Sequence, residues 1–536
     1  MTDKAETVDQ RVDTQVSENH AGPKGSSDSA SVHTWQRISP LSVIHYIVCG
    51  VTQFIKQGVQ NLLPLIPIVL VAGENRWLIL SAVAVLGSTM MLAGAFLRYM
   101  KFRYRLSEGQ VHIQSGVLKR KRLHLGYDRI QNVVFEEPIY FRPFKLVSLK
   151  IESAGSSGEE VSLAGLPRPL AEEIRHEVLN QAHHAINPTQ ASRDQEAGTS
   201  TAPVTEEVLL KLPVPELVRY GLSNNNIWVT AGLIAGVLPQ IKVWETAVAE
   251  TIIGFGRDNF GHLAFGMPLY VFLLISSVFL LLLTASVIGG IITQYNYTLT
   301  RGSDGRFHRI KGLFDRQETS MLERKIQSVV FKQSWIARLL NRWHIVLRQV
   351  SFSGQNNQPT KQGSGSLLIP SATDAFLSDF RALVYPGFQV PKTFHQISKR
   401  FILRTVAFYF LPPALLVSGI IFWHKGLPYA LIPLIFPVVM TGFMALRWKR
   451  YGYARDENYG YLRKGLFGQR LTLFPFFKVQ GVKIRRSYGQ RRSGHATLQI
   501  KMAGNSMTIP YMPYADALVW RDWILYKVES SQKSFM

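Results

Sequence analysis

The chain has a single cysteine, Cys49, in 536 residues. That excludes an intramolecular disulfide framework and any zinc site built on cysteine. Acidic residues are also scarce: 36 Asp and Glu stand against 60 Lys and Arg, for a net charge of +24. The imbalance disfavours cationic partners and suits anionic ones, either nucleic acid or the negatively charged face of a membrane. Catalytic signatures are missing too. No HExxH, no GxSxG elbow and no GxxxxGK[ST] phosphate loop occurs, and the sequence identifies no catalytic base to go with Cys49. The histidines are scattered, and His183-His184 sits in a polar stretch. The expectation is therefore a non-enzymatic protein with no catalytic residue, no metal and no cofactor. Residues 1–35 are polar and lack an apolar centre, which excludes a secretory or transit signal there and predicts a disordered cytoplasmic tail.

What the chain has instead is long uncharged apolar runs. Crossing a bilayer core takes about 20 residues of helix. Residues 77–99, 263–295, 405–423 and 427–446 meet that length, and the second run exceeds it, so it must tilt or protrude. Two weaker segments, 59–72 and 227–241, taken alone read equally as buried core helices or interfacial segments.

A threefold repeat alters that reading. Gly116-Val117-Leu118, Arg129-Ile130-Gln131 and Arg142 recur as Gly312-Leu313-Phe314, Lys325-Ile326-Gln327 and Arg338. They recur again as Gly465-Leu466-Phe467, Lys478-Val479-Gln480 and Arg491. Gly to Gln is 15 residues in every copy and Gln to Arg is 11. Each copy follows a weaker and a stronger apolar segment, so the chain reads as three helical hairpins, six spans in all, each leading into one copy of a soluble domain. Lys56, Arg219, Lys399 and Arg400 precede the hairpins, and Lys101, Arg103, Arg301, Arg447 and Lys449 follow them. The bias of Lys and Arg toward the cytoplasm then predicts that all three domains and both termini lie on the cytoplasmic side of the cell membrane. Stretches 41–57, 217–222 and 394–403 mix apolar and basic residues, and read either as helices lying on the membrane or as charged helix starts.

Between its landmarks each copy reads as β. In the first, short runs at 101–106, 110–113, 119–125, 130–136, 146–153 and 160–163 are broken by Gly/Ser turns, the pattern of an antiparallel sandwich or barrel. Gly116 suits a turn position with positive φ. Each copy then passes a proline into an apolar-periodic helix, at 170–182, 375–385 and 515–528, with Thr373 or Asp374 as a cap for the second. The predicted domains are a hairpin at 36–99, a domain at 100–185 and a linker at 186–210. A hairpin at 211–295 and a domain at 296–388 come next, then a hairpin at 389–447 and a domain at 448–530.

At these residues a resemblance emerges. Tyr104-Arg105-Leu106, Gly116-Val117-Leu118, Asp128-Arg129-Ile130-Gln131-Asn132-Val133 and Arg142-Pro143-Phe144 resemble the bacterial pleckstrin-homology (PH) domain of YdbS/YdbT-like membrane proteins. Three such domains, each with a hairpin, resemble the YdbT type. The third copy departs from the motif, with Phe477 where the first has Asp128. The resemblance implies a multi-pass α-helical membrane protein carrying three α+β PH-like domains, each a small antiparallel barrel or sandwich closed by a C-terminal helix. It does not by itself imply phosphoinositide binding.

For the landmarks Gly116, Gln131, Arg142, Gly312, Gln327, Arg338, Gly465, Gln480 and Arg491, a structural role is preferred. The repeated Gln suits a turn or bulge, while the arginines either bond a local loop or face lipid phosphate. From Arg447 to Lys501 the chain has 14 Lys and Arg against Asp456 and Glu457. Within that stretch Arg485, Arg486, Arg491 and Arg492 are candidate contacts for anionic lipid, and a simply solvated basic face explains them equally well. Nucleic acid is disfavoured as a partner because no recognised module accompanies the charge. The functional expectation is a membrane-anchored binding or scaffold protein, acting in envelope maintenance or stress resistance through a membrane partner or self-assembly. The alternative is a transporter or lipid-handling protein that uses the six spans as a pathway; the near absence of ionisable residues in the strong spans counts against it.

Overall fold

The computed structural model describes residues 35–57, 76–107, 110–116, 120–126, 130–153, 161–175, 206–224, 247–260, 262, 266–303, 305–349, 366–385, 391–503 and 505–531. The first repeat begins at Gln36, which bridges Tyr104, and continues through α1 (Ser42–Gln57) and α2 (Arg76–Lys101). Its six strands are β1 (Arg103–Ser107), β2 (Gln110–Ser115), β3 (Lys121–Gly126), β4 (Ile130–Pro138), β5 (Leu146–Ser153) and β6 (Val161–Pro167), and a helix, α3, covers 168–175. The second repeat opens with β7 (Glu207–Lys211), α4 (Val214–Ser223), α5 (Ala247–Phe260) and α6 (Gly266–Gln294). It continues through β8 (Thr298–Arg301), β9 (Arg306–Lys311), β10 (Asp315–Leu322), β11 (Ile326–Gln333), β12 (Trp343–Gln349), β13 (Ser366–Ala372) and α7 (Asp374–Val384). The third comprises β14 (His395–Gln396), α8 (Arg400–His424) and α9 (Leu427–Arg450). β15 (Gly452–Arg455), β16 (Tyr459–Lys464), β17 (Gln469–Pro475), β18 (Val479–Arg485), β19 (His495–Met502), β20 (Asn505–Pro513) and α10 (Tyr514–Glu529) complete it.

Four described helices are long and apolar enough to cross a membrane: Ser81–Lys101, Pro268–Gln294, Arg400–His424 and Leu427–Arg450. At about 1.5 Å per residue each spans a core of about 30 Å. The weaker segments 59–72 and 227–241 lie outside the described residues, whereas the connection between the second pair of apolar segments carries α5. In α8 a π-helical turn, Val406–Phe410, directly precedes Pro412-Pro413, as expected where missing proline N–H groups break the regular ladder.

The apolar helices do not simply precede the domains; each helical segment is inserted into one. Gln36 lies against β1, β7 pairs with β8, and β14 pairs with β15, all antiparallel. The chain therefore lays down one strand, leaves through the helical segment, and returns to pair with that strand. The end of the expected linker at 186–210 consequently belongs to the second domain, as β7. Between the strand and the span, α4 crosses α6 at glycine: a Cβ on Gly290 would lie 2.8 Å from the Gly221 Cα.

Within a domain the first sheet and the second sheet (β4–β6, β11–β13 or β18–β20) enclose one apolar core. Period-two burial sets the faces, as in β19, where Ala496, Leu498, Ile500 and Met502 point inward. The repeated glutamines mark a shared irregularity. Gln131, Gln327 and Gln480 each fall at the register shift opening the second sheet, between Ile130 and Asn132, Ile326 and Ser328, and Val479 and Gly481. A second shared bulge lies in each last strand at a left-handed residue: Gly165 (φ 79°), Ser371 (φ 51°) and Tyr511 (φ 52°). In each repeat the segment ahead of the long apolar helices docks there, through Ser42 Oγ donating to Ala164 O, Ser371 Oγ donating to Glu216, and Ser398 N donating to Tyr511 O.

The domains are not beads on a string. β4 of the first pairs with β10 of the second, and β11 of the second pairs with β17 of the third. Two seven-stranded sheets result, β6-β5-β4-β10-β9-β8-β7 and β13-β12-β11-β17-β16-β15-β14, flanked by β1-β2-β3 at one end and β18-β19-β20 at the other.

Candidate functional site

The two junctions differ in chemistry. At the second, Leu473 of the third domain is buried in the core of the second, beside Phe331 and Leu347, and Tyr459 packs its ring against Tyr385 at 5.2 Å. Gln469 Nε2 donates to Gln333 Oε1 at 3.0 Å, joining two strand ends. That seam is largely apolar. At the first, the equivalent face is polar: Arg175 donates to Ser320, and Arg168 lies 3.8 Å from Glu137 and 3.7 Å from Glu318.

The polar junction encloses a cavity of about 300 Å³. Its wall combines Glu137 and Arg142 of the first domain with Lys311, Gly312, Leu313 and Arg316 of the second, and with Tyr295 and Asn296. The last two close the apolar helix α6. Asn296 takes a left-handed conformation (φ 50°) just beyond the helix end, a position that Asn and Gly tolerate. The β9–β10 turn folds back onto that end, because Gly312 N donates to Tyr295 O at 2.9 Å and Leu313 N to Ile292 O at 3.0 Å. Gly312 has φ 106°, and an added Cβ would collide with Asp315 O, so the turn requires glycine. The cavity thus opens where a membrane-spanning helix emerges. Phe314, Ile139 and Phe144, on the loops beside it, are each about half exposed.

Positive charge dominates the wall. Arg316 and Glu137 are register partners, and Arg316 also lies 3.1 Å from Glu318. The Nε atoms of Arg142 and Arg316 are buried without a hydrogen-bond partner. Lys311 is 9% exposed; burial, then the Arg309 guanidinium, push its pKa down to about 7. Arg309 is itself buried, donating from Nη2 to Thr319 Oγ1 at 3.1 Å. Three cationic groups against one carboxylate, beside apolar loops, form a cradle for an anion with an apolar attachment, of which a lipid phosphate is the simplest.

Of the residues singled out in the sequence, Arg142 enters this cavity, while Arg338 and Arg491 are exposed on short helices, Trp335–Leu339 and Tyr488–Arg492. Gly116, like Gly312, has positive φ (105°); Gly465 does not, but its Cβ would strike Gly468 O. Gln327 is buried and Gln480 exposed. In the basic third domain Arg485 and Arg492 are exposed, whereas Arg486 stacks over Tyr514 at 4.0 Å and donates to Arg491 O at 3.3 Å. Lys311 and Arg316 were missed by the sequence reading. Their signal was faint: a lysine directly precedes the landmark glycine in two copies, at Lys311 and Lys464, and burial lowers both pKa values.

Comparison with known proteins agrees with this architecture. The bacterial PH domain family matches the chain three times, at residues 52–182, 251–365 and 401–528. The chain is also similar to the UPF0699 transmembrane protein YdbT of Bacillus subtilis (strain 168), at 21% identity over 506 residues, covering 92% of this chain and 98% of that protein. No solved structure matches. The three matched stretches together take in more than half of the chain, and the protein is a membrane protein belonging to the bacterial PH domain family.

Proposed function

We propose that the protein is a non-enzymatic, membrane-anchored binding platform whose three PH domains act as one body at the cytoplasmic face of the cell membrane. One observation carries this reading: the domains share sheets through β4–β10 and β11–β17, so they cannot move as independent modules without breaking strand pairing. The orientation follows from the basic residues at the span ends, including Arg98 and Lys101 in the last turn of α2 and Arg447, Lys449 and Arg450 in that of α9. Anionic lipid is its membrane ligand, with the junction cavity around Arg142, Lys311 and Arg316 taking the phosphate.

Affinity purification from detergent-solubilised membranes, followed by mass spectrometry, tests the platform. A membrane partner in stoichiometric amount is expected. Recovery of the protein alone, together with solute or lipid flux in reconstituted liposomes, overturns the reading in favour of transport.

A further inference from the structure

The two internal junctions are built in one register. Thr319 and Thr472, each seven residues after the landmark glycine, face Val134 and Val330, each three residues after the landmark Gln. Two edges remain at the ends of the row. β3 of the first domain is the counterpart of the incoming strands β10 and β17. β18 of the third is the counterpart of the receiving strands β4 and β11. Among the described residues, β3 pairs only with β2 and β18 only with β19.

A second copy of the chain is the obvious occupant of β18, and its chemistry is wrong. In the shared register Lys121 would face Arg485, Arg120 would face Arg486, and Leu123 would face Lys483. Like charges directly opposed across strands destabilise pairing. The second internal junction tolerates one such pair, Lys332 opposite Arg470, because Leu471 and Leu473 of the incoming strand cover the apolar core beneath. In β3 those two positions are Arg122 and His124. Self-addition would therefore double the repulsion and remove the apolar cover. Edge strands protected from their own kind by charge are a known device against polymerisation.

The edge is nevertheless made to receive a strand. Val482 and Ile484 of β18 are only half-buried against the third core, and Lys483 and Arg485 alternate with them on the exposed face. No acidic residue occurs between Val479 and Gly494. We infer that β18 is the docking strand for an extended segment of a partner protein in which acidic and apolar residues alternate, added antiparallel as β10 and β17 are added inside the chain. The acids lie opposite Lys483 and Arg485, and the apolar residues lie opposite Val482 and Ile484. Main-chain bonds give such an addition its affinity, and the alternating side chains give it selectivity.

This deepens the platform reading and fails separately from it. The probe is a labelled seven-residue peptide of alternating Glu and Val, titrated against the full chain in nanodiscs of neutral phosphatidylcholine. Saturable binding is expected. It should weaken roughly tenfold in Lys483→Glu/Arg485→Glu, from the loss of two cross-strand charge pairs, and persist in Arg491→Glu/Arg492→Glu. N-methylation of alternate peptide amides should abolish it. Equal binding of the N-methylated peptide, or of one with Lys in place of Glu, overturns the inference. So does a double variant that loses affinity for anionic vesicles and keeps its affinity for the peptide, because β18 then faces lipid. A stoichiometric partner recovered undiminished with this variant would leave the platform standing and remove β18 as its docking strand.

Discussion

Lys478 of the third domain donates from Nζ to the Ile326 carbonyl of the second at 2.7 Å, and also to the carbonyl of Arg324. It is the basic member of the repeated triplet, 4% exposed, and its pKa is pushed down to about 8 by burial. Lys478→Met should cost about 1–3 kcal/mol, because two carbonyls lose a charged donor in a buried seam. Hydrogen exchange should rise at β11 and β17 before it rises at β4 and β10. Unchanged protection at β11 would mean that the strand pairing alone holds this junction.

Buried cations also set the response to pH. Lys311 titrates near 7, and Lys325, Lys332, Lys464 and Lys478 near 8, each lowered chiefly by burial from an ordinary 10.5. Between those values the unfolded chain binds more protons than the folded one, so stability should rise as pH increases from 7 toward 10. Buried tyrosines act in the opposite sense above that range. Tyr104 and Tyr220 are pushed up to about 12, so above pH 10 the unfolded chain ionises first and stability falls. Thermal unfolding in detergent should therefore peak near pH 9–10 rather than near neutrality. A flat or falling profile from 7 to 9 would contradict the assigned burial.

Glu216 fastens helix α4 to its domain. It accepts from Arg342 at 2.9 Å and from Ser371 Oγ at 2.6 Å, and these bonds, Arg342 first, hold its pKa down at about 2. Glu216→Gln should destabilise by about 1–2 kcal/mol once solvent screening is allowed for. The wild-type contribution is fully present above the ordinary carboxylate value and is lost as pH falls through about 2, so the variant should differ least from wild type in acid. A constant difference down to pH 2 would point to packing and not charge.

For the junction cavity, Arg142→Gln combined with Lys311→Met should weaken binding of phosphatidylglycerol to the full chain by roughly tenfold, at about 1 kcal/mol for each cation near an anionic surface. Native mass spectrometry of lipid adducts reads this directly. Because the anion favours protonated Lys311, wild-type affinity should decline as pH rises through 7, and Lys311→Met should abolish that decline. Inorganic phosphate displacing the lipid would show that the headgroup phosphate is the recognised group. Adducts indifferent to both substitutions would remove the cavity from the account.

Local features of this chain were legible in its sequence. The repeat, the strands of the first copy, the Thr373 cap (which accepts from Phe376 N at 3.3 Å) and the bulge at each Gln follow from spacing and residue type. Features that depend on distant pairing were not. β7 reads as the tail of a polar linker because its partner, β8, lies beyond the whole of the second apolar pair. The β4–β10 pairing joins strands from different repeats, and hydrophobic periodicity holds no record of which edge meets which. Lys311 looks like any strand lysine until the fold buries it under the influence of the Arg309 guanidinium. Arg142 reads in sequence as bonding a local loop or facing lipid phosphate; it sits in a short 3-10 turn, Arg142–Phe144, and the second wall of its cavity belongs to the next domain.

Because the helices α5 and α6 lie between the paired strands β7 and β8, that part of the second domain's sheet closes only after the chain has passed through the apolar helix α6. β7 is synthesised early yet must wait for β8 until α6 is in place. Assembly of the water-exposed sheet is thereby coupled in time to placement of the apolar helix that lies between its strands, and until then β7 is an unpaired edge.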